Sequence, residues 1–198
     1  MNPLTSATIL VCGVAGVGKT RLIRAVIRQS TDVVTWSAGE IIAEARHVTD
    51  AEVLRKLPEA EMERSQELLV NGYEARRSVT PNVLILLDGH SVIDTDGGLF
   101  EIAINVVGRL GVTGLIHVRE TVEKILAHRR DDATRVRPER SALEIEHYQS
   151  RSIKQCEIYS VALQLPLYQV QSGDVEGMYR AVQLIRSHAS TGRGPQRI

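Results

Sequence analysis

Aromatic residues are scarce: one Trp, one Phe and five Tyr in 198 residues. A core built from this chain must be mostly aliphatic, which suits a parallel sheet of Val, Ile and Leu covered on both faces. Cysteine is nearly absent. Cys12 and Cys156 have no metal-ligand spacing, and two reduced thiols are expected rather than a disulfide. Net charge is absent too, with 24 basic and 24 acidic residues, which argues against a general binder of nucleic acid or membrane surfaces. The N-terminus has no basic leader, and the apolar run after it is too short for a signal peptide or a membrane span. The expected location is cytoplasmic. There is no internal repeat and no low-complexity segment, and the length fits one domain with a small inserted lobe.

What is present is organised around Gly13-Val14-Ala15-Gly16-Val17-Gly18-Lys19-Thr20, a full GxxxxGK[ST] phosphate-binding loop. It follows an apolar strand at Ala7–Cys12 and opens a helix running to about Gln29. The glycines let the backbone curl its N–H groups toward nucleotide phosphates, and the helix adds its positive end. Lys19 can reach the β- and γ-phosphates, and the Thr20 hydroxyl can ligate Mg²⁺. The cofactors expected are therefore ATP and Mg²⁺.

Further along, strands are expected at Val33–Trp36, Asn82–Asp88, Val112–Val118 and Pro166–Gln171. Helices are expected at Ala38–Ala45 (capped by Ser37), Ala51–Leu57 (capped by Asp50), Glu59–Ser78, Phe100–Leu110, Thr121–His128, 141–163 and Val175–His188. In Glu59–Ser78, Met62, Leu68, Leu69 and Tyr73 form the expected buried side. Asp94–Gly98 reads as a turn, and the tail 189–198 as frayed. Strands alternating with helices give an α/β fold around a five-stranded parallel sheet, in three layers.

Asp88 ends an apolar strand after a complete phosphate loop, so it is a candidate for holding a Mg²⁺-bound water opposite Thr20. His90 lies at the carboxyl edge of the same strand, where it can serve a ligand or simply bond a loop carbonyl. The segment 37–81 is longer than a minimal crossover and suggests a helical flap for a second substrate. The run 129–140 holds five arginines, expected to act as a mobile lid over polyphosphate, because the guanidinium fork binds phosphate oxygens bidentately. A second pocket and a water-excluding lid favour a small-molecule kinase over a motor or switch ATPase.

The phosphate loop, Ser37–Glu40, Asp50–Leu57, Asp88–His90 and Asp132–Arg137, at these intervals, resemble the archaeal-type adenylate kinases among the nucleoside monophosphate kinases, over Ile9 to about Ile185. The resemblance implies a P-loop kinase core (residues 1–190), a monophosphate-binding lobe at 37–79, a short lid at 129–140, a flexible tail at 191–198, and homotrimers as a known habit. It implies transfer from ATP to AMP with Mg²⁺, giving two ADP. Lys19 would follow the transferred group while Arg129, Arg135 and Arg137 stabilise it. Gly39, Glu40 and Arg55 would frame the monophosphate beside His90. The residues 96–101 depart from the family pattern, as does the helix after the lid, where Arg151 or Lys154 stands in for a family arginine. Another acceptor therefore stays open (CMP, a deoxynucleotide or a small alcohol), as does a regulatory nucleotide-binding ATPase.

Overall fold

The computed structural model describes residues 7–49, 54, 56–132 and 138–190. Arg55, Arg135, Arg137, most of the expected helix at 51–57 and the tail 191–198 lie outside the described residues.

Five parallel strands form the central sheet: β1 (Ala7–Cys12), β2 (Val33–Ser37), β3 (Leu84–Asp88), β6 (Gly114–Arg119) and β7 (Leu167–Gln171), in the order β2-β3-β1-β6-β7. β1 lies at the centre, paired Val11 to Asp88 on one side and Cys12 to His117 on the other. All six of its residues are buried, as expected for a strand with helices on both faces. Alternation divides the aliphatic core in two. Ile9, Val11, Leu86, Ile116 and Val118 pack with Leu22, Val26, Val182 and Ile185 from helices α1 (Lys19–Ile27) and α7 (Val175–Ser190). Leu10, Ile85, Leu87 and Leu115 pack with Val70, Tyr73, Val107 and Tyr159 from α3 (Glu59–Ser78), α4 (Ile104–Arg109) and α6 (Ala142–Leu163).

Local chemistry sets the helix ends. Ser37 accepts a hydrogen bond from the Glu40 amide and starts α2 (Ala38–Ala45), as read from the sequence. Thr121 caps α5 (Val122–Asp131). Ser141 and Glu144 form a reciprocal capping box at the start of α6. On α3 the buried residues are Met62, Ser65, Gln66, Leu69, Val70 and Tyr73, with Leu68 only half-buried. α2 lies against α3 so closely that a Cβ on Gly72 would come within 2.7 Å of Ile41. Cys12 and Cys156 are free and buried. Among the described residues, no helix is long and apolar enough to cross a membrane.

The largest departure from the sequence reading lies between β3 and α4. The expected turn at Asp94–Gly98 and helix from Phe100 are instead an antiparallel hairpin, β4 (Val92–Thr95) and β5 (Gly98–Glu101), turning at Asp96-Gly97. Asp94 pairs with Leu99 inside the ladder, and the helix begins only at Ile104. An Asp-Gly pair between apolar dipeptides is a hairpin signal; here Val92-Ile93 and Leu99-Phe100 flank it. Elsewhere the corrections are of one to three residues: β3 starts at Leu84, β6 at Gly114, and α5 runs on to Asp131.

Candidate active site

The loop Gly13–Gly18 leaves the carboxyl end of β1, where ligands bind in open α/β sheets. Gly13, Gly16 and Gly18 have φ of 147°, 89° and 97°, values that only glycine adopts without strain. Space is as tight as the dihedrals: a Cβ on Gly13 would come within 2.6 Å of the Val118 carbonyl oxygen. Lys19 is 6% exposed. Its ammonium donates to the Gly13 carbonyl at 2.9 Å and lies 4.0 Å from the Asp88 carboxylate. Thr20 donates its hydroxyl proton to Asp88 Oδ2 at 2.7 Å. β1 and β3 thus bring together three residues the sequence nominated, Lys19, Thr20 and Asp88, although the last is 68 positions from Thr20.

A cleft of about 1260 Å³ runs from this loop across the sheet edge. On the loop side it is lined by Gly16, Gly18, Lys19, Thr20, Lys124 and Ser172. On the other side it is lined by Ser37, Ala38, Gly39, Glu40, Asp88 and His90, with apolar walls from Ile42, Met62, Leu69, Phe100 and Val106. Gly39 and Glu40 therefore face the same space as the phosphate loop. His90 does too, while its Nδ1 is within 2.9 Å of the Gly13 carbonyl oxygen, so it braces the loop as well as lining the cleft. Arg151 forms an ion pair with Glu101 on an outer groove, and neither it nor Lys154 lines the cleft.

Arg129 does not sit where a lid arginine was expected. It occupies the last turn of α5. Its Nε donates to the Ala15 carbonyl at 3.0 Å, and its guanidinium lies 3.4 Å from Asp94 and 6.0 Å from the centre of the Tyr148 ring. Only 7% of the side chain is exposed, and Arg129 is absent from the described residues lining the cleft. The guanidinium is drawn behind the loop because Asp94, a buried carboxylate on the unforeseen hairpin, lies there. His128 Nδ1 is 3.0 Å from the Gly16 carbonyl oxygen, so two successive residues of α5 engage two successive carbonyls of the loop. Sequence reasoning missed Asp94, His128, Arg140 and Ser172. Only Arg140 carried a signal, as a member of the arginine run.

Behind the loop, His117 on β6 is 2% exposed. Its Nε2 is 3.1 Å from Ser152 Oγ, which is 2.9 Å from Ser91 Oγ, while its Nδ1 is buried with no hydrogen-bond partner. Burial pushes its pKa down to about 4, helped by the charges of Lys19 and Arg119. It is a neutral imidazole at physiological pH, which keeps positive charge out of the sheet beneath Lys19.

Together the parallel order, the loop after the central strand and the helical flap beside it give an α/β fold that matches P-loop kinase architecture. Solved structures agree. Shikimate kinase from Acinetobacter baumannii in complex with shikimate superposes with a TM-score of 0.60 at 14% identity, covering 96% of this chain and 97% of that one. Shikimate kinase from Bacteroides thetaiotaomicron gives 0.53 at 19% identity, covering 92% and 97%. A gluconokinase from Sinorhizobium meliloti 1021 gives 0.53 at 8%, covering 94% and 95%. At these identities the likeness is one of fold. No curated protein matches the sequence. The family described as AAA domain matches residues 12–146, more than half of the chain, and the protein belongs to that family.

Proposed function

We propose that the protein is a phosphotransferase that moves the γ-phosphoryl group of ATP to a small acceptor held between the sheet edge and α2–α3. The observation that carries this is the continuity of the cleft. At about 1260 Å³ it exceeds the ~300–1,000 Å³ of a single-ligand pocket, and its two ends have different chemistry. Phosphoryl transfer needs in-line alignment, charge neutralisation and dryness more than covalent help. Lys19, buried at the mouth of α1, supplies charge to the transferred group. Thr20 and Asp88 supply hard oxygen donors 2.7 Å apart, a set that suits Mg²⁺, which takes few protein ligands and keeps its waters. Bound there, Mg²⁺ would neutralise phosphate charge. Arg135 and Arg137 remain the sequence's candidates for closing over the phosphates.

The acceptor is read as a small hydroxyl-bearing metabolite, the class that the names of the shikimate kinases and the gluconokinase describe for those proteins. Such an acceptor loses a proton on attack. Glu40 lies on that side of the cleft and is the candidate to receive it, since Asp88 is given to Mg²⁺. A second reading, AMP as acceptor, is favoured by the apolar walls at Ile42, Met62, Leu69 and Phe100, which suit a flat base better than a polyol. An ionised phosphate acceptor would need no base.

The test is ADP formation from ATP and Mg²⁺ against shikimate, gluconate, AMP, CMP and deoxynucleoside monophosphates. Acceptor-dependent turnover is expected, with Lys19→Ala reducing it by at least ~10²-fold, the scale of a lost transition-state charge contact. Slow hydrolysis that no acceptor stimulates would instead indicate a regulatory ATPase.

A further inference from the structure

The hairpin β4–β5 has two faces. Ile93 and Phe100 line the acceptor side of the cleft. Asp94, the next residue on β4, points the other way and is 1% exposed. Its Oδ1 accepts from Arg140 Nε and Nη2 at 3.1 and 2.9 Å, and its Oδ2 from both terminal nitrogens of Arg129 at 3.4 Å. Arg140 is held further by the Thr95 carbonyl at 3.1 Å. One buried carboxylate thus fixes two guanidiniums, and the pairing raises the pKa of Arg140.

Arg129 carries the restraint onward. Its stem rides on Gly16, where a Cβ would meet Arg129 Cγ at 2.8 Å, and its Nε holds the Ala15 carbonyl. That carbonyl belongs to the residue directly before Gly16 in the loop. Holding it turns the Gly16 N–H of the same peptide unit the opposite way, toward the phosphate position, because the C=O and N–H of a trans peptide point in opposite directions. The knot closes on α6, where Tyr148 lies against Arg129 and donates its hydroxyl proton to the Val92 carbonyl at 3.1 Å, two residues from Asp94.

We propose that Asp94 is a positioning residue for nucleotide binding, acting through Arg129 on the Ala15 carbonyl to hold the phosphate loop in its anion-binding conformation. This deepens the ATP-binding half of the function proposed above and rests on it. The acceptor wall and the donor loop are then parts of one hydrogen-bonded unit. A lysine at position 129 cannot replace the arginine, since one ammonium cannot present a fork to Asp94 and a separate donor to Ala15.

The test is calorimetric titration of ATP and of ADP, which needs no acceptor, on wild type, Asp94→Asn, Arg129→Ala, Arg129→Lys and the double variant Asp94→Asn/Arg129→Ala, each checked for folding by circular dichroism. Asp94→Asn keeps the shape of the side chain and removes its charge. It is expected to weaken ATP and ADP by a similar factor of about ten, since the loop amides hold the phosphates common to both. Arg129→Ala and Arg129→Lys are expected to lose at least as much. In the Arg129→Ala background, Asp94→Asn is expected to cost less than about twofold more, because residues acting as one unit are not additive. Losses that multiply independently would overturn the proposal. So would unchanged nucleotide affinity with reduced thermal stability, a purely structural role, or tighter ATP binding, which would make Asp94 a competing counter-ion. A wild type that binds ATP but phosphorylates no acceptor refutes the phosphotransferase reading and leaves this test intact. One that binds neither nucleotide overturns both.

Discussion

Replacing His117 with Gln removes a titrating group whose folded and unfolded pKa values differ widely. In the folded protein the imidazole sits at about 4, because burial and the nearby Lys19 and Arg119 charges oppose protonation. In the unfolded chain it returns to about 6.5. Between these values the unfolded state binds a proton that the folded state refuses, so stability rises with pH across this window. Above about pH 6.5 the group imposes no penalty. As pH falls, stability is lost, by about 2 kcal/mol at pH 5 and about 3 kcal/mol once pH is below the folded value. Urea denaturation of both proteins at pH 7.5 and pH 5.0 reads the difference directly. Wild type is expected to lose about 2 kcal/mol more than His117→Gln over that interval, or about 4–8 °C in Tm for a chain of this size. Gln can keep the bond to Ser152, so its own offset in stability, equal at both pH values, cancels in the comparison. Equal losses in the two proteins, or an imidazole NMR titration of His117 near 6.5, would refute the reasoning.

Two further outcomes follow from the loop and the carboxylate that faces it. Gly18→Ala places a Cβ at φ 97°, 2.5 Å from Ser172 Oγ; it is expected to cost about 1–3 kcal/mol of stability from backbone strain alone and to weaken ATP binding, read by chemical denaturation and calorimetry. Asp88→Asn removes the charge that faces Lys19 and Thr20; Mg²⁺ titrations of phosphoryl transfer are expected to show a requirement shifted at least ~10-fold upward, on the scale of a lost supporting ligand, and an unchanged Mg²⁺ dependence would remove Asp88 from the metal site.

Helices with regular periodicity and explicit caps were readable to within a few residues at their ends. Ser37 before α2 caps as its place in the sequence implies, and Ser141 caps α6 with Glu144 as its reciprocal partner, because a cap depends on groups three residues apart. The hairpin at Val92–Glu101 was misread because two short apolar pairs around Asp96-Gly97 suit either a turn before a helix or a ladder, and the choice depends on what lies against them. Here Tyr148 and Arg140 from distant segments secure β4.

The same distinction runs through the site. The sequence by itself determined the phosphate loop, its lysine and threonine, and the apolar strand ending in Asp88, because these act through contiguous backbone geometry and fixed offsets. Only the tertiary structure decided what the loop leans on. Arg129 reads as one of five arginines free to close over phosphate, yet its guanidinium is drawn behind the loop by Asp94, 35 residues earlier. His117, Ser152 and Ser91 meet although 35 and 61 positions separate them. A guanidinium goes to the nearest buried carboxylate, and a buried imidazole takes its charge state from its surroundings. Neither is encoded in local spacing, since both are set by which segments the sheet order and the hairpin bring together.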